Sequence, residues 1–388
     1  MIAKLILAAA VIPFIYYLIA IYSAWRYFRR PAPAQEPAFT PPVSILKPIR
    51  GLDPDAYQNL ASFCRLDYPA YELVFCIDSD DEEVISAVAR LTADFPEKPI
   101  RVLYGSGRVA ANDKVAKLAR LVSEARHEVV VISDSDVRVQ PDYLRRVVQP
   151  LRHPRVGAVT CFYAPAAIAT FADRLQTVGM MSDFYAGVLT AWQLEGVKFA
   201  LGPTIATTRA CLARFGSYAS LENQPADDLL VGRLIAEQGY EVVLLPYVIA
   251  TVPDYHSMRA LLHKRLRWLV VMRHMRPSGH LGLLLTHGLP WSLAAIALDP
   301  SATVAFAYLG TYCFLRAALM WMIGIHGLKQ RGIWPLMPLL PLWDMLAFTI
   351  WLLSFPRRSI RWRGADYYIR EGKLVPVALE SEAETTRL

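Results

Sequence analysis

Residues 127–144 read HEVVVISDSDVRVQPDYL, and this stretch decides the fold. Its first half, VVVIS at 129–133, is a short β-branched run typical of a buried strand, and it leads directly into an acidic turn. Similar short runs alternate with helix-like amphipathic segments on either side of it, at 43–46, 73–77, 101–104 and 156–162. Such alternation predicts βαβ units, and therefore an α/β fold with a mostly parallel sheet covered on both faces.

The acidic turn after this strand contains Asp134 and Asp136. Open parallel sheets bind ligands outside the carboxyl ends of their strands, so these side chains are candidate ligand contacts. Two carboxylates two residues apart can converge on one hard divalent cation that bridges to diphosphate oxygens. Short acidic motifs are common in loops, but the position after the most hydrophobic strand favours the metal interpretation.

Two further acidic groups follow the same logic. Residues 78–81 (DSDD) come directly after the run at 73–77; Asp78 or Asp80 could accept hydrogen bonds from a nucleotide base or ribose. An acidic turn that caps the next helix explains this cluster equally well. Asp228, in the pair that begins the amphipathic segment ending at Gly239, is either a carboxylate favoured by the helix dipole or a general base.

A basic helix is expected over residues 257–275. Its spacing places Lys264, Arg267 and Trp268 on one face. These side chains could hold a departing diphosphate, with the indole as an amphipathic surface. The same helix could also lie on a membrane, with its arginines reaching lipid phosphates, and the two roles are compatible.

The composition argues against a purely soluble or disordered chain. Hydrophobic residues make up 54% of the 388 residues and charged residues 19%, against about 25% in soluble domains. The net charge of +7 fits anionic lipids, phosphates or nucleic acid without choosing among them. Five widely spaced cysteines without a CxxC pair argue against a disulfide framework and a zinc site.

An N-terminal membrane anchor is predicted. Residues 5–25 carry no charge and are long enough to cross about 30 Å of hydrocarbon. Arg26, Arg29 and Arg30 follow at once, which argues against a cleaved signal peptide and places this end of the segment in the cytoplasm. The proline-rich residues 31–42 read as a linker.

Three more apolar segments lie near the other end of the chain, at 281–298, 302–325 and 333–355. Arg316 and Asp344 fall inside them, and such charges are expected to face protein rather than lipid. Three full crossings would put the C-terminus outside, whereas the arginines after residue 356 favour a cytoplasmic tail. A re-entrant, proline-punctuated segment beginning at 333 would reconcile the two, and the number of crossings stays open.

Together these stretches resemble the metal-dependent glycosyltransferases of the GT-A fold. They are most similar to the ceramide glucosyltransferase family, including its bacterial hopanoid-biosynthesis-associated members. The similar stretches are 43–54, 66–81, 131–144, 226–240 and 264–268. The resemblance implies a catalytic domain at 43–256 between an anchor (1–30) with its linker (31–42) and, at the other end, an interfacial basic helix (257–280), membrane segments (281–356) and a cytoplasmic tail (357–388).

The resemblance also implies roles for individual residues. Asp78, Asp80, Lys114 and Asp134 would contact a UDP-sugar. Asp136, with Asp134, would hold Mg²⁺ or Mn²⁺. Asp228 would be the catalytic base, and Lys264, Arg267 and Trp268 would act at the departing diphosphate.

The implied activity is inverting transfer of a hexosyl unit, N-acetylglucosamine or glucose, to the hydroxyl of a membrane lipid such as the hopanoid polyol bacteriohopanetetrol. The implied place is a bacterial inner membrane, with several crossings and the catalytic domain facing the cytoplasm. Open alternatives are a ceramide acceptor, a polyprenyl-phosphate acceptor, a polysaccharide synthase and a non-enzymatic membrane scaffold. Nucleic acid is not an expected partner, because no stacking aromatics interleave with the basic residues.

Overall fold

The computed structural model describes residues 2–30, 38–108, 110–252, 257–362 and 365–377. The chain forms two compact units. One unit comprises residues 1–32, 168–196 and 255–371, and it is called the helical unit below. The other comprises residues 33–167, 197–254 and 372–388, and it is called the sheet unit.

The strands are β1 Val43–Pro48, β2 Tyr71–Ile77, β3 Ile100–Tyr104, β4 Val129–Ile132, β5 Val137–Arg138, β6 Val156–Pro165, β7 Ile205–Thr208, β8 Glu241–Thr251, β9 Ser359–Trp362, β10 Ala365–Arg370 and β11 Lys373–Pro376. The α-helices are α1 Ile2–Ala9, α2 Ile12–Phe28, α3 Ala56–Cys64, α4 Glu82–Asp94, α5 Asp113–Glu124, α6 Tyr143–Val148, α7 Phe171–Gly179, α8 Tyr185–Glu195, α9 Arg209–Ala213, α10 Asp227–Glu237, α11 Met258–Met275, α12 Pro277–Gly282, α13 Gly288–Leu298, α14 Ala302–Met320 and α15 Leu340–Ser354. Short 3₁₀ and π segments lie at Gln149–Arg152, Met180–Phe184, Tyr218–Leu221, Leu283–Thr286, Trp321–Gly327 and Arg331–Leu339, and all but Tyr218–Leu221 adjoin an α-helix.

The sheet unit contains one mixed sheet in the order β3-β2-β1-β4-β7-β6-β8-β5. The pairs β1–β2, β1–β4, β2–β3 and β6–β8 are parallel, and β4–β7, β6–β7 and β5–β8 are antiparallel. Every residue of β1, β2 and β4 is buried, as expected for strands covered on both faces. The five strands predicted from the sequence are present, and the α/β class is confirmed. The antiparallel β7 makes the sheet more mixed than the alternating pattern indicated.

Parallel pairing brings the carboxyl ends of β1, β2 and β4 to one edge. Helix α5 follows β3 and is capped by Asn112, whose side chain accepts a hydrogen bond from Val115 N at 3.4 Å. Helix α10 lies very close to the backbone of the segment before β7, since a Cβ on Gly232 would be 2.2 Å from the Phe199 carbonyl carbon. These two helix starts supply the polar groups at that edge.

Three helices of the helical unit are long and apolar enough to cross a membrane, as judged by length and composition. They are Lys4–Phe28, Ala302–Gly327 and Arg331–Ser354. A fourth candidate, Pro277–Thr286 followed by Gly288–Leu298, is bent by 53° and is either a broken span or a re-entrant loop. The prolines after residue 333 lie in the 3₁₀ stretch Arg331–Leu339 and in the first turn of α15, and the bend lies earlier in the chain. A re-entrant segment beginning at 333 stays a prediction.

Two features of the units differ from the segments predicted from the sequence. Residues 168–196, which lie within the predicted 43–256 domain, belong to the helical unit. The segment after residue 357, expected as a tail, contains the antiparallel pair β9–β10. The rest of the predicted tail, residues 378–388, and the linker residues 31–37 lie outside the described residues.

Candidate active site

A buried lysine underlies the acidic turn after β4. Lys47, near the end of β1, is fully buried and donates from Nζ to the Asp134 main-chain oxygen at 2.7 Å and to Ser133 Oγ at 3.3 Å. Its ammonium also lies 3.8 Å from the centre of the Phe63 ring. Burial lowers the pKa of Lys47 to about 7, against the opposing effect of nearby carboxylates that include Asp134 and Asp136. Lys47 thus holds the main chain of the acidic turn in place through these hydrogen bonds.

Lys114 joins two of the acidic groups singled out in the sequence. It lies in the first turn of α5, and its Nζ is 2.7 Å from Asp134 Oδ1 and 3.7 Å from Asp227 Oδ2. Burial alone would lower the pKa of Lys114, but the carboxylates of Asp134, Asp227 and Asp228 together raise it. Lys114 is therefore a permanent cation at the centre of this edge.

Asp228 is the half-buried carboxylate of the site. In the first turn of α10, its Oδ2 accepts a hydrogen bond from Gly202 N at 3.1 Å and its Oδ1 one from Leu229 N at 2.8 Å. A Cβ on Gly202 would lie 2.8 Å from Asp228 Oδ2 and 3.7 Å from Asp134 Oδ2. The absence of a side chain at Gly202 therefore leaves the space between these two carboxylates open.

The environment of Asp228 suits proton transfer. Burial raises the pKa of Asp228 to about 6, and the negative charge of Asp227 adds to the effect, while Lys114 and the Leu229 N–H oppose it. A carboxylate with a pKa near the working pH is a better proton acceptor than one with the usual value near 4. The site can therefore accept a proton at Asp228 beside a group of fixed charges.

The first acidic cluster, 78–81, is divided between two roles. Asp78 Oδ2 accepts from the buried Lys117 Nζ at 2.8 Å, and Lys117 also contacts Asp113 at 3.2 Å. Asp81 caps α4 by accepting from Val84 N at 3.2 Å, as the capping interpretation predicts. Asp80 is exposed. Contact of Asp78 or Asp80 with a nucleotide remains a prediction.

Asp134 and Asp136 suit a divalent cation whose coordination shell also includes substrate atoms. Both carboxylates act on the same buried Lys47, so they lie at one end of β4, and both offer the oxygen ligands that Mg²⁺ and Mn²⁺ prefer. Among the described residues, no group of three or more His, Cys, Asp or Glu side chains could hold a metal by itself. Mg²⁺ is usually bound by one or two carboxylates, and substrate phosphates take further coordination positions.

The basic motif lies on α11, in the helical unit. Lys264 Nζ is 5.3 Å from the centre of the Trp268 ring, as their i, i+4 spacing predicts. Arg267 lies instead over Trp362 of β9, with its guanidinium 5.4 Å from the ring centre. Arg265, which the sequence did not single out, packs against Trp268 at 5.3 Å.

Sequence reasoning missed two lysines of the sheet unit, Lys47 and Lys117. Both are almost fully buried. A signal existed for Lys47, because a lysine within the apolar strand VSILKP needs a buried partner. The pattern of α5 did not indicate that Lys117 is buried, since a lysine on an amphipathic helix is normally exposed.

The fold and the acidic strand ends define a class: the protein has the GT-A-like mixed α/β fold of glycosyltransferases, with apolar helices at both ends of the chain. A solved mannosyltransferase from Pyrobaculum calidifontis, in complex with GDP-Man and Mn²⁺, superposes with a TM-score of 0.56 over 92% of this chain and 100% of that one, at 21% identity. This likeness shows the fold.

The sequence pattern of glycosyl transferase family 21 matches residues 5–375, and the chain belongs to this family. Ceramide glucosyltransferase 3 of Caenorhabditis elegans is 24% identical over 280 residues, covering 68% of this chain and 57% of that protein. Ceramide glucosyltransferase 1 of the same organism is 34% identical over 140 residues, which are 36% of this chain and 29% of the relative. The chain thus spans 57% of the length of the first relative and 29% of the length of the second.

Proposed function

We propose that this protein transfers a hexosyl unit from a UDP-sugar to a hydroxyl group of a membrane lipid, with inversion at the anomeric carbon. The observation that carries the proposal is Asp228, a half-buried carboxylate with a pKa raised to about 6 that shares the space beside Gly202 with Asp134. Membership of glycosyl transferase family 21 and the naming of its relatives as ceramide glucosyltransferases support a sugar donor and a lipid acceptor.

The proton and the bonds move as follows in this proposal. Asp228 takes the proton of the lipid hydroxyl while that oxygen attacks the anomeric carbon, and the bond from this carbon to the diphosphate breaks on the opposite face. One displacement converts an α-linked donor into a β-glycoside. Lys114 keeps the neighbouring carboxylates from raising the pKa of Asp228 further.

The donor contacts are proposed from the same edge of the sheet. Asp78 or Asp80 and Lys114 would bind the nucleotide sugar, and Asp134 and Asp136 would hold Mg²⁺ or Mn²⁺. A bound divalent cation supplies charge compensation for a departing diphosphate. Lys264, Arg267 and Trp268 of α11 would add cationic and aromatic contacts to the same group.

The acceptor we favour is a hopanoid polyol such as bacteriohopanetetrol. Ceramide is the second candidate, because the curated relatives carry the name ceramide glucosyltransferase. The choice between UDP-N-acetylglucosamine and UDP-glucose is part of the test. A polyprenyl-phosphate acceptor would need no base, and a scaffold would transfer nothing, so the Asp228 carboxylate separates both from the favoured reaction.

We propose a bacterial inner membrane with the catalytic residues on the cytoplasmic side. Arg26, Arg29 and Arg30 follow the first apolar helix, and Arg357 and Arg358 follow the last one. If the bent segment Pro277–Leu298 re-enters rather than crosses, two crossings remain after it. The arginines at both ends then lie on one side, as the distribution of positive charge requires.

The test uses purified protein with Mg²⁺ or Mn²⁺, each UDP-sugar in turn, and bacteriohopanetetrol or ceramide in separate reactions. Mass spectrometry identifies the lipid product. We expect a hexosylated or N-acetylhexosaminylated polyol from the native chain and none from Asp228→Asn. A product on ceramide alone would move the acceptor to the second candidate, and transfer that survives Asp228→Asn would overturn the base.

A further inference from the structure

A buried ion network joins separate segments of the helical unit. Arg316 of α14 donates from Nε to Asp344 Oδ2 of α15 at 2.8 Å and from Nη2 to the second oxygen of the same carboxylate. Tyr312 adds a hydrogen bond to Asp344 Oδ2 at 2.6 Å. The side chains of Arg316 and Asp344 are only 2% and 5% exposed. Asp344 therefore already balances the charge of Arg316 in bidentate geometry, inside two helices apolar enough to cross a membrane.

Asp183 brings a second carboxylate to this network. Arg316 Nη2 donates to Asp183 Oδ1 at 2.8 Å, and Trp343 Nε1 donates to Oδ2. These two bonds use about half of the roughly four acceptor sites of a carboxylate. The Asp183 side chain is 38% exposed, unlike its partners. It is thus a carboxylate held in one orientation, with acceptor capacity left over.

The surroundings of Asp183 are aromatic. It lies in the π-helical turn Met180–Phe184, a kind of turn that occurs frequently at functional sites. The neighbouring Phe184 ring is 6.5 Å from the ring of Trp268, centre to centre, and the Trp343 ring lies 4.7 Å from the Arg265 guanidinium. A fixed acceptor therefore stands beside amphipathic aromatic surfaces, within a unit built from apolar helices.

We propose that Asp183, oriented by Arg316 and Trp343, binds the hydroxyl-bearing head of a membrane lipid. An ionised carboxylate only accepts hydrogen bonds, so the matching ligand presents O–H donors. The apolar helices around it favour donors carried by a lipid over those of a free sugar. This inference rests on the proposed function, because it names the group that recognises the acceptor of that reaction.

The experiment measures lipid binding without any sugar donor. The full chain in detergent is titrated with bacteriohopanetetrol and with its per-O-methylated derivative, which keeps the oxygens and removes the O–H donors; ceramide and its O-methylated form make a second pair. Native mass spectrometry gives the bound fractions. For at least one pair we expect the hydroxylated lipid to bind about tenfold more tightly or better, as for hydrogen bonds to a charged group. Asp183→Asn should bring this ratio to within about threefold.

Matched variants separate recognition from support of the fold. Ser182→Ala removes a 3.0 Å contact of Arg316 and leaves Asp183 in place, so the preference should persist. Asp183→Glu keeps the charge and should retain most of the preference even if Asp183→Asn proves unstable. Equal binding of each lipid and its methylated form by the native chain would overturn the proposal, and so would an equal loss of both in Asp183→Asn. Binding needs no turnover: a preference without sugar transfer would contradict the proposed function alone.

Discussion

At Asp228 a few neighbours set the affinity for a proton. Burial and Asp227 raise its pKa to about 6, and Lys114 acts in the opposite direction. Because Asp228 is protonated below its pKa, its ability to accept a proton is lost as the pH falls through about 6. We predict an acid limb near pH 6 in the pH profile of kcat/KM for sugar transfer.

Two substitutions should move this limb in opposite directions. Asp227→Asn removes a like charge and should shift it to lower pH, whereas Lys114→Met removes the opposing cation and should shift it to higher pH. Profiles measured with saturating donor test both. A limb that stays in place in both variants would show that Asp228 is not the titrating group.

The buried arginine of the helical unit should be a strong determinant of stability. Arg316→Met leaves two carboxylates, Asp344 and Asp183, without their cation. Loss of one partner of a buried ion pair costs about 3–5 kcal/mol, so we predict a marked drop in the thermal unfolding midpoint in detergent. Arg90→Met, which removes one partner of an exposed pair with Asp94, is the control and should change the midpoint little. Equal midpoints for both variants would contradict this assignment.

The sequence predicted the burial of some charged residues but not the contacts of others. Burial of Arg316 and Asp344 followed from their setting in apolar segments and is confirmed. The contact of Lys47 with Asp134 joins residues 87 positions apart, and no local pattern encodes such a distance. Strand ends could be predicted from the sequence, whereas the contact of Lys47 with the turn after β4 could not.

Helix α10 should depend on a glycine that allows close approach. A Cβ on Gly232 would lie 2.2 Å from the Phe199 backbone, so Gly232→Ala must displace the helix that carries Asp228. We predict a loss of stability of about 1–3 kcal/mol, and a fall in kcat of tenfold or more, because misplacing a catalytic group by about 1 Å is costly. Enzyme assays and thermal unfolding measure both effects.

Gly187→Ala is the matched control for that substitution. Gly187 also lies within a helix, α8, but a Cβ there would meet nothing within 4 Å. Alanine should therefore leave activity unchanged and slightly favour the helix. Similar activity losses in both variants would show that close packing at Gly232 is not the cause.

At the level of elements, periodicity predicted β1, β2, β3, β4 and β6 and missed the others, including β8, which pairs in parallel with β6. β5 has two residues, too few for a periodic signal. β7 enters the sheet antiparallel between β4 and β6, and this placement depends on pairing partners remote in sequence. The bend of 53° at His287 was likewise hidden, because the proline signal used for a re-entrant segment lay elsewhere in the chain.

At the scale of the whole molecule, the account predicts the membrane topology. If Pro277–Leu298 re-enters, a reporter inserted after Lys329 lies outside the cytoplasm, and one fused to the C-terminus lies inside. Alkaline phosphatase should then be active at the first position and inactive at the second. The reverse pattern would mean that the bent segment crosses the membrane fully.

The division of the molecule into two units was only partly accessible from the sequence. Hydropathy located the apolar helices, and alternation located the sheet. Residues 168–196 were expected within the sheet domain, because they lie between its strands, yet they belong to the helical unit. Their contacts with α14 and α15 include the Asp183 network, and pairing of charges so distant in sequence is not visible in local patterns.

The central claim is an inverting transfer to a lipid hydroxyl with Asp228 as the base. The most direct measurement is the anomeric configuration of the lipid product, determined by NMR after reaction with an α-linked UDP-sugar, together with the rate for Asp228→Asn. We predict a β-glycoside from the native chain and a loss of rate of at least about 100-fold in the variant. An α-glycoside, or an undiminished rate in Asp228→Asn, would contradict the account.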